Sequence, residues 1–387
     1  MRVDVIILGA GAAGLTCAAA CAARGRRVAV LDHGAKPARK VLASGGGRCN
    51  CTNTAVGATD YRCANRHFTK SVLARFTPDD LRQWFRSGGV ATAEEDGGKI
   101  FCRDGGRAVV RFLETQARQA GAELRQGVTI LDARAEGSEF LVATDAGTIR
   151  CASLILALGG KSWSSLGATD LGYRLAQGFD LPLTPLRPGL VPLTAPADMA
   201  AWCRELTGIA VPVSLTVGRE TFPGDMLFTH HGLSGPAVLD ASLVWMPGDA
   251  LAIDLLPKTP SETLFADAGR QDIANALAKY LPKRLAQALC QRFGVTGPMA
   301  GLSPKRLDAL AATLRAVPFT PSGTAGFAKA EVTLGGVATK AVSSKTLEVQ
   351  AVPGLYVIGE LLDVTGRLGG FNLHWAFASG FAAGAVA

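Results

Sequence analysis

Residues 3–32 leave this chain little choice of fold. Val3 to Leu8 is a short apolar run that stops at Gly9-x-Gly11-x-x-Gly14. An Ala-rich stretch follows to about Arg24, and "RRVAVLD" then closes on Asp32. The order strand, glycine turn, helix, strand and acid is the βαβ opening of a dinucleotide-binding domain. Gly9 makes the tight turn, Gly11 lets backbone approach a pyrophosphate, and Gly14 allows close packing of helix on strand. The helix start offers free N–H groups and a positive dipole end to phosphates. Asp32, 18 residues after Gly14, is placed to accept hydrogen bonds from ribose hydroxyls.

Composition narrows the class. With 387 residues, 48% hydrophobic and 19% charged, the chain is globular and long enough for two or three domains. Its 46 glycines show no triplet period, so they mark close backbone approaches and not collagen. A net charge of +8 permits an anionic cofactor or nucleic acid without demanding either. The nine cysteines form no CxxC pair, so no metal site is expected and reduced thiols in a cytoplasm are. Asp4 and the glycine spacing argue against reading the apolar N-terminus as a signal peptide or membrane span.

A second glycine segment, "KPARKVLASGGGRCNCTN", follows the second strand and runs from Lys36 to Asn53. Three adjacent glycines suit neither a strand nor a helix. They suit a flexible turn, a cysteine-bearing redox or metal loop, or backbone laid against a ligand. Cys49 beside Arg48 is a candidate thiolate, proton donor or nucleophile, and equally an inert core residue. His230, His231 and His374 are candidate acids because histidine titrates near neutral pH.

Further along, 76–88 reads as a helix opened by Thr77-Pro78 and the stretch 106–124 as another helix, ended by Gly121. Residues 128–160 alternate as a β-meander that ends in the buried strand "SLILALGG". Prolines punctuate 182–196. The stretches "VPVSLTVGRE" and "DALAIDLLP" read as strands, and 261–316 as helices broken at Pro282. The expected division is a discontinuous nucleotide domain over 1–188 and 331–387, an inserted β-rich domain over 189–260 plus about 317–330, and a helical module over 261–316. That module carries Lys279, Lys283, Arg284, Arg292, Lys305, Arg306 and Arg315, either a solvated face or a track for phosphates. "GLYVIGE" returns to the nucleotide domain, and Gly369-Gly370 precede a last apolar helix.

Ordered blocks along nearly the whole chain resemble the BaiN/RdsA family of NAD(P)/FAD-dependent oxidoreductases. They are "GAGAAG", "ARKVLASGGGRCNCTN", "EEDG", "GGKS", "FTHHGLSGPAVL", "AEVTLGGV" and "GLYVIGELLDVTGRLGGFNLHWAFASG". This chain has "IFCRD" at 100–104 where the family tends to have VFPxS, and His374 where it tends to have Gln. The resemblance implies an α/β fold with a Rossmann-like FAD-binding domain of the two-dinucleotide-binding-domain flavoprotein type, carrying inserted β-rich and helical modules. It implies FAD contacts from Gly9, Gly11, Ala13, Gly14, Asp32, Lys40, Ser44, Gly45, Gly46, Gly47, Arg48 and Asn50. To these it adds Ile130, Gly159, Gly160, Gly359, Glu360, Asp363, Gly369, Gly370, Asn372 and Leu373. Cys49, His230 and His374 are the candidate acids. The implied activity is NAD(P)H-linked reduction of a conjugated C=C bond: a uridine of large-subunit rRNA going to dihydrouridine, or a small enone. A non-catalytic or redox-sensing flavoprotein is the further alternative.

Overall fold

The computed structural model describes residues 2–260, 263–265 and 269–387, so the first residues of the expected helical module fall partly outside the described residues. The chain divides into two compact units, 1–188 with 331–387, and 189–330.

The first unit is built on a parallel sheet. Its strands run in the order Glu123–Gln126, Val28–Asp32, Arg2–Leu8, Gly147–Leu156 and Leu355–Val357, all parallel. Val5, Ile6, Ile7, Leu8, Leu154, Ile155 and Leu156 are wholly buried, as strands covered on both faces must be. Gly147–Leu156 is long because it serves two partners on one side. Its first half pairs antiparallel with Glu139–Thr144 and its second half parallel with Leu355–Val357. Ile130–Glu136 completes the meander. The helix expected to end at Gly121 runs to Gln119, and the residues after the break, Glu123–Gln126, form the parallel edge strand, which sequence reading missed. Gly121, at φ +103°, makes the break, and four mixed residues carry no period that sequence reading detects.

Two helices pack on this sheet and on each other, Ala12–Ala23 and Phe371–Gly384. Small residues make the approach close. A Cβ on Gly380 would strike the Ala13 carbonyl oxygen, and one on Gly384 would meet Ala20 Cβ at 2.6 Å and Cys17 O at 2.8 Å. Gly380 lies beside Ala13 and Gly384 beside Cys17, so the helices run parallel. Both N-termini therefore face the carboxyl edge of the sheet, the edge at which open α/β sheets bind ligands.

The second unit is an antiparallel sheet in the order Val317–Phe319, Leu251–Asp254, Ala210–Val217, Glu220–Thr229, Gly232–Ser234, Leu193–Thr194 and Gly323–Thr324. Pro223 and Gly224 hid the strand Glu220–Thr229 from sequence reading. Pro223 is tolerated because Gly232–Ser234 pairs only with residues 227–229, which leaves a free edge at 223. Pro282 does separate two helices, Ile273–Leu277 and Lys283–Arg292. The helical segment is not a separate body, however. Ile273, Leu277, Leu285, Leu289 and Leu314 share one apolar core with Leu215 and Ile253 of the sheet.

Candidate functional site

The glycine turn is braced from within. Gly9 N–H donates to Leu31 O at 2.8 Å, and Asp32 takes the Ala10 and Gly34 amides on its two carboxylate oxygens at 2.7 and 2.6 Å. Asp32 therefore ties the turn to the second strand, a role its spacing alone did not reveal. Each of its oxygens keeps a second lone pair for a ribose hydroxyl. Ala13 is buried beneath the C-terminal helix. Gly14 packs so tightly on the turn that a Cβ there would collide with the Gly9 carbonyl oxygen. Gly11 differs: its φ is −80° and a Cβ there would meet nothing within 4 Å. The space beyond it is open, at the N-terminal end of a 12-residue helix whose first N–H groups suit an anionic ligand. Ile130 is buried at the start of its strand, close to where Val128 N–H donates to Asp32 O at 3.0 Å.

Four segments at the strand ends meet at Glu360. Its Oε2 accepts from Lys40 Nζ at 2.6 Å. Its Oε1 accepts from Thr333 N at 2.8 Å and from the Ser162 hydroxyl at 3.1 Å. Lys40 also reaches Ser162 Oγ at 2.8 Å. Lys40 thus neutralises a carboxylate and is not a loose cation awaiting a phosphate. Gly160 lies against this knot, where a Cβ would meet Thr333 Oγ1 at 2.6 Å, while Gly159, at φ +71°, faces open space. Ser162 and Thr333 escaped selection as candidates. Each sits in a glycine-bearing block next to a buried strand, and that was the available signal.

The triple glycine is a left-handed run, with φ of +56°, +67° and +88° at Gly45, Gly46 and Gly47. Side-chain-bearing residues adopt that region at a cost, and three in succession require glycine. All three are exposed, and a Cβ on Gly46 would meet nothing within 4 Å. Ser44 Oγ donates to Val41 O at 2.8 Å and so closes the preceding turn. Arg48 is committed elsewhere: it pairs with Glu95 and stacks on Phe101 at 4.3 Å. With its amide nitrogen turned to the Thr52 and Ile100 carbonyls, Asn50 accepts from Gly370 N–H at 3.2 Å. The loop is thereby linked to the start of the C-terminal helix.

That helix start is shaped by Gly369 and Gly370, at φ +121° and +99°. Asn372 fixes the turn before it, accepting from Gly366 N–H and donating to Gly366 O, both at 2.8 Å. Gly359 N–H donates to Ser379 Oγ at 3.0 Å. Asp363 is half-buried, its carboxyl raised above the usual range by burial, and Leu373 is partly exposed. Because Gly380 stands level with Ala13, the C-terminal helix begins about two turns ahead of the first helix, roughly 12 Å at 1.5 Å per residue. Two positive helix ends on one sheet edge, with exposed glycine backbone beside them, suit an elongated ligand. Its diphosphate would sit at one end, and at the other a ring that gains negative charge on reduction.

Two of the candidate acids lie in this unit, and both are buried. Cys49 is wholly buried, and burial pushes its thiol up to about 12. A protonated thiol is no nucleophile, and with no exposed surface it meets no substrate. His374 is also wholly buried, held between Thr52 Oγ1 at 2.9 Å and the Phe76 carbonyl at 3.1 Å. The carbonyl requires the proton on Nε2, so Nδ1 accepts from Thr52. Burial holds the ring neutral, lowering it to about 4. Both are corrected from acids to packing groups. His230 belongs to the second unit, where its Nδ1 lies 3.4 Å from Thr207 Oγ1.

The basic helical segment is also less available than its composition suggested. Arg284 donates to the carbonyls of Glu205 and Thr207 at 2.7 and 3.0 Å, and Arg306 to that of Gly294 at 3.1 Å. Arg315 pairs with Asp254 at 3.6 Å. Arg292 lies over Trp202 at 5.4 Å and 4.0 Å from Asp198. Lys279, Lys283 and Lys305 are exposed.

The parallel sheet, the braced glycine turn and the two parallel helix ends define a Rossmann-type fold of the FAD-binding flavoprotein class. A flavocytochrome c3 fumarate reductase structure shares this fold, with a TM-score of 0.51 at 16% identity over 99% of this chain and 78% of that one. The HI0933-like protein Rossmann domain matches residues 3–386, and the chain belongs to that family. It is 42% identical to the ribosomal RNA dihydrouridine synthase of Escherichia coli (strain K12), over 98% of this chain and 97% of that protein. It is 32% identical to the 3-dehydro-bile acid delta(4,6)-reductase of Clostridium scindens, over 98% of each.

Proposed function

We propose that this protein is an FAD-dependent oxidoreductase that reduces the conjugated C=C bond of a uridine in ribosomal RNA, with NAD(P)H as electron source. The observation that carries the reading is the pair of parallel helix N-termini offset by roughly 12 Å along their axes, beside open glycine backbone. FAD, when bound, supplies hydride transfer. The chain's own residues bind and orient it. The Gly11–Gly14 helix start takes the diphosphate, Asp32 the ribose, and Gly45–Gly47 with Gly159 give backbone room. The Phe371 helix end favours the negative charge that grows on the ring. The Lys40–Glu360–Ser162–Thr333 knot holds these loops in register. Among the described residues no helix is long and apolar enough to cross a membrane. A cytoplasmic location fits a ribosomal RNA substrate.

The higher identity to the dihydrouridine synthase favours RNA over a steroid-like enone. Anaerobic stopped-flow on the flavin-loaded protein tests the choice. The flavin is reduced with NADPH or NADH, then mixed with protein-free large-subunit rRNA or with a small enone. Reoxidation by RNA with formation of dihydrouridine is the expected result. Reoxidation by the enone alone moves the substrate class, and reoxidation by neither removes the reductase reading.

A further inference from the structure

The arginines of the helix Gly105–Gln119 stand apart from those of the second unit. Arg107 and Arg111 are one turn apart on one face of it, both exposed, and Arg103 precedes them at the same four-residue interval, also exposed. Arg86, in the helix Pro78–Ser87, is exposed too. None of the four side chains makes a hydrogen bond or ion pair with another described residue. Their neighbours behave otherwise: Arg82 lies 3.5 Å from Asp79, and Arg118 pairs with Glu114 at 3.0 Å. Like charges at a four-residue interval repel on a helix, a cost that an anionic partner removes.

Position ties the stripe to the site. A Cβ on Gly106 would meet Val41 O at 2.8 Å and Gly47 O at 3.5 Å, so this helix starts against the triple-glycine loop. Arg107 and Arg111 climb away from that loop, about 6 Å apart along the axis, and Arg103 stands just before the helix starts. Arg111 also borders an open groove shared with Asp104, Thr115, Gln116 and Gln119. Its amides, hydroxyl and carboxylate are groups that read unstacked bases. Asp104 is the one acid in that lining.

We infer that Arg103, Arg107 and Arg111, with Arg86 next in sequence to the groove residue Ser87, hold the phosphodiester backbone of the RNA strand whose uridine reaches the triple-glycine loop. The inference rests on the RNA reading above and moves the RNA contact from the 261–316 helices to the first unit.

Fluorescence anisotropy of a labelled uridine-bearing hairpin RNA, titrated with the flavin-loaded protein across a salt series, tests it. The R103Q/R107Q/R111Q variant is compared with K279Q/K283Q/K305Q, and melting temperature and bound flavin are recorded for each. The arginine variant is expected to bind more than about tenfold more weakly, with the slope of log K against log salt shallower by about 2, while the lysine variant matches the wild type. If the triple variant fails to fold, R107Q and R111Q are measured singly, each expected to lower the slope by about 0.7–0.9. Unchanged affinity in the arginine variants, or a loss confined to the lysine variant, overturns the stripe and leaves the RNA substrate standing. A wild type that does not bind the hairpin removes the RNA reading itself, and the stripe with it.

Discussion

Gly11 and Gly14 stand three residues apart in the same turn, yet they are glycine for different reasons. Gly14 is forced by the chain, since a Cβ there would run into the Gly9 carbonyl. Gly11 is forced by nothing in the chain, with an ordinary φ of −80° and no atom within 4 Å of where a Cβ would stand. The same contrast recurs around the site. Gly160, His374 and Lys40 are held by protein partners, whereas Gly46 and Gly159 face open space. Groups of the first kind build the site, and groups of the second kind leave room for what it binds.

The contrast breaks if the two kinds respond alike to substitution. Gly14→Ala carries the largest expected effect, a loss of about 3 kcal/mol or more because backbone must move to admit the methyl. Urea denaturation should show it, and wild-type stability in that variant would refute the packing argument. His374 comes next. Its folded ring is held neutral near 4, while in the unfolded chain it titrates near 6.5. Its contribution is therefore intact above about pH 6.5 and is lost as pH falls toward 4, on the order of 3 kcal/mol in all. His374→Gln keeps a donor for the Phe76 carbonyl and should flatten that part of the stability–pH curve. A curve that keeps its slope would place the titration elsewhere. Lys40→Met should cost about 1 kcal/mol, because the pair with Glu360 is partly screened by solvent. The double variant with Glu360→Gln should cost less than the sum of the singles, which a thermodynamic cycle measures. Cys49→Ala should change the least. Turnover within about twofold of wild type is expected for an inert thiol, and a loss of a hundredfold or more would return Cys49 to the chemistry.

Much of the first kind of group was legible in the sequence. Gly9, Gly14 and Asp32 announce a βαβ turn because strand, helix and strand follow in immediate succession, so local spacing fixes the geometry. The chemistry of Cys49 and His374 was not legible, because burial depends on contacts from distant segments. The residues that enclose His374, Thr52 and Phe76, lie some three hundred positions away. The same holds for the knot at Glu360, where residues from 40, 162, 333 and 360 meet only after the sheet has formed. The strand Glu220–Thr229 was hidden by Pro223, which a free edge accommodates and a propensity argument penalises.

The most direct test of the account is the affinity of the apo-protein for FAD, wild type against Gly11→Ala, followed by flavin fluorescence quenching and paired with the melting temperature of each in the absence of FAD. The account predicts equal melting temperatures and an affinity lower by about 2 kcal/mol, some thirtyfold, because the methyl enters space that the diphosphate needs. Equal affinities would mean that the open space at Gly11 is not where the cofactor lies.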